Sequence, residues 1–352
     1  MRVCLAREST GRADAIPAQY SSRARGRLLG ARTARGCLGL SLALTALACS
    51  AQELTIAVAN SVLSLPIFVA QAQKYFADEG VPVKTVECVG GPRCLGLILE
   101  DQAALVTVSD MTVMFNSFGR TDYAIVATIA RSTSNLKLIT RKSAGIASVA
   151  QLAGKRVGTV KATGAHYFLD SSLLFDGIDP KRIELVLLSP EQIGAALEQG
   201  RIDAASIWEP HARRSLRELA GDGAVIPSPR SYSVSFNLVA NRRIIAERQT
   251  DLVKVLRALA RAQRFIREQP QQAQAILVQT LRQDQDDINA LWNDLDYRLA
   301  IDQLLLNTLQ AQARWALREG HVPHDARIPN YLRFVATEPL RQAVPMAVTL
   351  DK

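Results

Sequence analysis

Cys88 and Cys94 enclose Val89-Gly90-Gly91-Pro92-Arg93, a spacing that admits a disulfide, a redox pair, part of a metal site or two free thiols. A redox centre is more often Cys-x-x-Cys, and a structural metal needs further Cys or His ligands that no cluster in this sequence supplies. The choice between bond and free thiols depends on the compartment. The other residues able to do chemistry sit where β-branched runs give way to helical patterns. They are Ser61 and Leu63, Gly90 and Gly91, Ser109 and Asp110, then Thr163, Gly164, Ala165 and His166, and finally Trp208 and Glu209. A helix start carries unpaired N–H groups and the positive end of its dipole. Several such starts around one cavity bind an anion without a lysine.

Taken singly, each position has a plainer role. Ser, Asp, Thr and Gly at helix starts are usually caps. Trp208 divides between inter-lobe packing and a rigid wall of a ligand pocket. Glu209 suits a helix N-terminus electrostatically, and His166 divides between a surface or capping residue and a hydrogen bond to ligand. The functional reading rests on the number of these junctions and on both halves of the chain contributing. No Ser/His/Asp constellation or metal-ligand spacing accompanies them, so neither a catalytic residue, a metal nor a cofactor is expected.

These junctions need an alternating scaffold. From Leu54, LTIAVA, VPVKTVEC, ALVTVS and YAIVATIA alternate with the helical patterns PIFVAQAQKYFADEG, PRCLGLILED and DMTVMFNSF. A second series follows: NLKLIT, RVGTVK, IELVLL and DAASIW, with VAQLAG, GAHYFLDSSLLFDG, PEQIGAALEQG and EPHARRSLRELAG between or after them. Strands alternating with helices predict an α/β fold, each lobe a mostly parallel sheet flanked by helices. SVSFNLVAN then leads into four long helical segments that return to the first lobe as a helical C-terminal extension. The expected division is residues 50–130 with 235–352 for lobe 1 and 131–234 for lobe 2. Ligands in such sheets lie beyond the carboxyl ends of the strands, here in the cleft between lobes.

Residues 1–36 hold eight arginines against two acids, and an uncharged run from Cys37 to Cys49 follows. The run is shorter than the roughly 20 residues that span a bilayer, so residues 1–49 read as a cleaved export signal with an overlong basic segment. Cleavage after Ala46-Leu47-Ala48 fits ordinary processing, and the same bond fits lipidation of Cys49. Six of the nine net positive charges belong to this segment, which leaves a body too near neutral for a nucleic-acid binder. Export leaves Cys88 and Cys94 as the only thiols of the mature chain, and an oxidising compartment favours their disulfide.

The stretches LTIAVANSVLSLPIFVAQAQKYFADEGVPV and QLAGKRVGTVKATGAHYFLDSSLLFDGIDPKRIELVLLSPEQIGAALEQGRIDAASIWEPH, in this order, resemble periplasmic solute-binding proteins of ABC importers in the nitrate/sulfonate/taurine group. The likeness runs from about Leu54 to about Gln269. It implies the type II periplasmic-binding-protein architecture, and a cleft lined by Ser61, Gly91, Ser109, Thr163, Gly164 and Trp208. It also implies a small anionic solute (sulfonate, taurine, nitrate or carboxylate), a periplasmic monomer, and an inner-membrane permease and ATPase as partners. An enzyme on the same fold, akin to pyrimidine-precursor synthases or chorismate dehydratases, is the alternative, although the cysteine-rich iron-binding segment of the former is missing. A ligand-sensing partner of a membrane receptor is a third. One departure stands out. Ala196, Gly200 and Asp203 keep a family pattern whose first-lobe counterpart, Leu99-Glu100-Asp101-Gln102-Ala103-Ala104, lacks both the Gly and the Asp.

Overall fold

The computed structural model describes residues 53–228 and 232–350. The expected export segment, with Cys49, lies outside them. β1 (Leu54–Ala59) leads to α1 (Leu65–Ala72) and α2 (Tyr75–Asp78), β2 (Val83–Cys88) to α3 (Gly91–Leu99), and β3 (Leu105–Ser109) to α4 (Asp110–Asn116). β4 (Tyr123–Ser132) ends at the crossing to a second sheet. There follow β5 (Leu136–Arg141), β6 (Arg156–Thr159), α5 (Gly164–Phe175), β7 (Glu184–Leu187), α6 (Ile193–Glu198), β8 (Ala204–Trp208), α7 (His211–Glu218) and β9 (Gly223–Ile226). The return begins with β10 (Val234–Asn241), then α8 (Arg242–Glu247), α9 (Gln249–Glu268), α10 (Pro270–Leu281) and α11 (Gln285–Trp292). β11 (Leu295–Asp296), β12 (Ile301–Asp302), α12 (Gln303–Arg318), α13 (Thr337–Ala343) and β13 (Val348–Thr349) complete it.

The first sheet has the order β11-β4-β10-β3-β1-β2 and the second β7-β6-β8-β5-β9. β1 pairs in parallel with β2 and β3, and β6 with β7 and β8. β10 runs antiparallel to both β3 and β4, β11 to β4, and β5 to both β8 and β9. Each sheet is therefore mixed, where the alternation predicted mostly parallel pairing. The cause is the crossings: a strand that enters a sheet directly from the other one, without a helical crossover, arrives in the opposite direction. β11 also gives the C-terminal extension a sheet partner that its helical pattern did not predict.

β4 and β10 are buried at every position, as central strands covered on both faces must be. Their polar groups are paired: Thr128 Oγ1 donates to Asn237 Oδ1 at 2.8 Å, and Arg131 clasps Asp302 through two bonds of 2.7 Å. α9 packs against α1 and α12 against α4, which closes the helical layer over the first sheet. The segment read as one helix over PIFVAQAQKYFADEG breaks at Lys74, which is left-handed at φ 59°, and VAQLAG forms a 3-10 turn, Val149–Leu152.

The departure at 99–104 preserves the turn it alters. Asp101 is left-handed at φ 56° where Gly200 has φ 64°, and Ala104 donates to Thr55 O as Asp203 donates to Arg156 O. Both turns feed the amino ends of strands, opposite to the edge where the candidate ligand residues lie.

Candidate functional site

The carboxyl ends of β1, β2 and β3 put Ser61, Gly90-Gly91 and Ser109 along one edge of the first sheet. Ser61 caps the turn Val62–Ser64, its Oγ accepting from Leu63 N–H at 3.2 Å. Ser64 Oγ donates to Ala59 O at 2.8 Å, and Ala59 N–H donates to Thr107 Oγ1 at 2.9 Å, so the turn is pinned to β3. The disulfide Cys88–Cys94, with Cα atoms 5.4 Å apart, ties the end of β2 to the first turn of α3. Between them Gly90 takes φ 83°, a region open to glycine. A Cβ on Gly91 would come within 2.0 Å of Thr112 Oγ1, and that hydroxyl lies 3.3 Å from Ser109 Oγ. The starts of α3 and α4 thus meet through three small residues.

On the second sheet, Thr163-Gly164 follow β6 and Trp208 ends β8. Thr163 Oγ1 donates to Val160 O at 2.7 Å and leaves the first N–H groups of α5 without a side-chain cap. Gly90 likewise gives α3 no side-chain cap. Among the described α-helices only α8 and α12 carry a side-chain cap, from Asn241 and Asp302, so what sets the starts of α3 and α5 apart is their glycine and their place at the carboxyl ends of β2 and β6. Trp208 is half-buried, pairs with Leu136 across the sheet, and sets its ring edge-on to His211 with centroids 5.7 Å apart.

Other expected site residues are engaged by the protein itself. Leu63 and Ala165 lie in the hydrophobic core. Asp110 is fully buried: Oδ1 accepts from Met111 N–H and Tyr232 OH, both at 2.7 Å, and Oδ2 from Ser235 N–H at 3.0 Å and Oγ at 3.2 Å. Burial raises its pKa, against the lowering effect of these bonds. Gln312 Nε2 donates to Tyr232 OH at 2.5 Å. The Tyr232 ring stands edge-on to Tyr167 at 5.2 Å, and a Cβ on Gly164 would meet Tyr232 Cε1 at 3.6 Å. Tyr232 therefore joins the start of α4 to the start of α5.

His166 is buried beside the same junction. Its Nδ1 accepts from Ala162 N–H at 3.3 Å, and its ring lies 5.5 Å from Trp315 and 4.9 Å from His321. Trp315 Nε1 donates to Asp170 Oδ2 at 2.8 Å, and His166 Nε2 is 3.8 Å from that oxygen. Burial pushes His166 down to about 4 and Asp170 up to about 6. Glu209 is buried as well; it accepts from Arg213 N–H at 3.1 Å, and its own N–H donates to Asn135 O. It holds the start of α7, and burial raises its pKa.

Thr112, Asp170, Tyr232, Gln312, Trp315 and His321 were not singled out from the sequence. Two had a local signal, Asp170 four residues beyond His166 on one helix face and Thr112 three residues beyond Ser109 in the first turn of α4; the rest arrive from segments remote in sequence. Among the described residues no group of three His, Cys, Asp or Glu could hold a metal ion, and no helix is long and apolar enough to cross a membrane.

The two-sheet α/β architecture with chain crossings is that of periplasmic binding proteins. A crystal structure of the periplasmic aliphatic sulphonate binding protein of Escherichia coli superposes with a TM-score of 0.72 over 81% of this chain and 92% of that one, at 19% identity. The NMT1/THI5-like model matches residues 62–273, and the chain belongs to that family. It is 25% identical over 220 residues to the taurine-binding periplasmic protein of Escherichia coli (strain K12), covering 61% of this chain and 67% of the relative. A Bacillus subtilis (strain 168) protein provisionally named as binding aliphatic sulfonates is 24% identical over 218 residues, 60% of this chain and 64% of its own length. The match thus spans about two thirds of these relatives.

Proposed function

We propose that this protein is the periplasmic solute-binding component of an ABC importer for a small organic anion of the sulfonate class, held between the two sheets and released unchanged to a permease and its ATPase. The observation that carries the reading is the pair of glycine-bearing helix starts, Gly90-Gly91 on α3 and Thr163-Gly164 on α5, which follow the carboxyl ends of parallel strands in opposite sheets and whose first N–H groups no side chain takes up. Unspent N–H donors and helix dipoles favour an anion, and glycine lets it reach the backbone. Ser61, Ser109 and Thr112 add hydroxyls on one side, and Trp208 supplies an apolar wall for the organic portion on the other. The carboxylates of Asp110 and Glu209 and the ring of His166 are assigned to the scaffold around that pocket. Export through residues 1–49, with either a soluble form or a lipid on Cys49, belongs to the same reading.

Calorimetric titration with methanesulfonate, taurine, nitrate and acetate tests it. A sulfonate should bind, raise the melting temperature by mass action, and be recovered intact by mass spectrometry; a recovered product would make the protein an enzyme. Trp208→Ala should weaken sulfonate binding by about tenfold, equal to about 1.4 kcal/mol, with the circular dichroism spectrum unchanged. Unaltered affinity would remove Trp208 from the pocket.

A further inference from the structure

α7 belongs to the second sheet's layer and α11 to the first, yet their charged faces meet. Arg213, Arg214 and Arg217 form a basic run that reads in isolation as a solvated helix face. In the fold, Arg217 Nη1 donates to Asp287 Oδ1, and Arg213 Nε stands 3.8 Å from the same oxygen. Asp287 is 7% exposed. Arg213 Nε is also buried, with no hydrogen-bond partner among the described residues. Asp284 and Asp286 extend the acidic side around a crevice of about 490 Å³ that both arginines line. Arg214 is excluded from this set, because it pairs with Glu218 on its own helix at 2.9 Å.

We propose that Asp287 is a positioning residue: by drawing Arg213 and Arg217 of α7 onto α11, it holds the two lobes together and so sets solute affinity from outside the pocket. The pull has a short route to the candidate site. Arg213 N–H is bonded to Glu209, which directly follows Trp208, so the clamp acts on the segment that carries the proposed pocket wall. The unsatisfied Arg213 Nε gives the same direction, since a small further approach of α7 to α11 brings it into hydrogen-bond range. A solute that touches both lobes gains only the fraction of molecules already closed, so its apparent affinity scales with that fraction. Arg217 is half exposed, so the attraction is screened by salt.

The closure part of this inference is independent of the solute; the affinity part rests on the function proposed above, and the test separates them. Small-angle scattering of the purified protein without solute reads closure at about 50 mM and about 500 mM NaCl. Wild type should be more compact at the lower salt, Asp287→Asn should be expanded at both, and the exchange of Arg217→Asp with Asp287→Arg should recover compactness. Equal radii for wild type and Asp287→Asn at low salt would overturn the clamp. Methanesulfonate titration then reads affinity: Asp287→Asn should bind about threefold to tenfold more weakly at low salt, with the difference vanishing at high salt. If the arginines instead steered the anion directly, Asp287→Asn would bind more tightly and the exchange would not restore wild-type affinity, which also overturns the proposal. Failure of methanesulfonate to bind any variant, with the scattering differences intact, would count against the sulfonate reading and leave the clamp standing.

Discussion

Asp101 carries the departure from the family pattern most visible in the sequence, and its backbone explains why the fold accepts it. Aspartate tolerates the left-handed region better than most residues because its short side chain can form local hydrogen bonds. Here Oδ1 accepts from Asn241 Nδ2 at 2.9 Å and from Arg243 Nη2 at 2.6 Å, bonds that glycine could not make. Asp101→Ala should destabilise the protein by about 1–2 kcal/mol in denaturant titration, since alanine keeps the unfavourable φ and loses the acceptor. Solute affinity should stay unchanged because the turn lies at the amino end of β3. A fall in affinity at constant stability would contradict that placement. Asp110 teaches the converse lesson. Its position at the start of α4 was legible, but three of its four hydrogen bonds were not, because Tyr232 and Ser235 lie more than a hundred residues away.

At the scale of elements, the junction between β2 and α3 is shaped by two constraints. The disulfide fixes the ends of the loop, and the approach of Thr112 demands glycine at Gly91. A loop this short removes little unfolded-state entropy, so the bond contributes about 2 kcal/mol. Reducing it should lower the melting temperature by a few degrees and increase amide exchange over residues 89–93 more than over β1. Uniform exchange across both segments would show that the bond does not position the loop. The cysteine count and the expected export segment were enough to favour this pairing. The mixed sheets were less readable: β-branched periodicity identifies a strand, but its direction depends on whether a helix intervenes before the next strand of the same sheet.

At the scale of the whole molecule, elements of the two sheets' layers meet through buried polar and aromatic groups as well as through the ion pair of Arg217 with Asp287. His166 and Asp170 from α5 meet Trp315 from α12 and His321 just beyond it; Lys161, Arg318 and Glu319 lie in the surrounding field. His166 drops from 6.5 to about 4, so its contribution is fully present above 6.5 and is lost as pH falls toward 4. Asp170 rises from 3.8 to about 6, so its contribution has the opposite sign and stability returns as pH falls from about 6 toward 3.8. These opposing effects largely cancel over most of the acid range. Asp170→Asn, which keeps an acceptor for Trp315, should be more stable than wild type at neutral pH and lose melting temperature more steeply between pH 6.5 and about 4. Parallel pH profiles for the two proteins would refute the assignment. The sequence by itself determined the α/β alternation, the glycine-rich and hydroxyl-rich junctions and the disulfide, because these follow from local periodicity, backbone freedom and cysteine count. Only the tertiary structure decided which polar groups are consumed by the fold, as Asp110 is by Tyr232, His166 by the Trp315 cluster and Arg217 by Asp287. The reason is that a polar group's partner is set by burial and long-range packing, to which neighbouring residues in the chain give no clue.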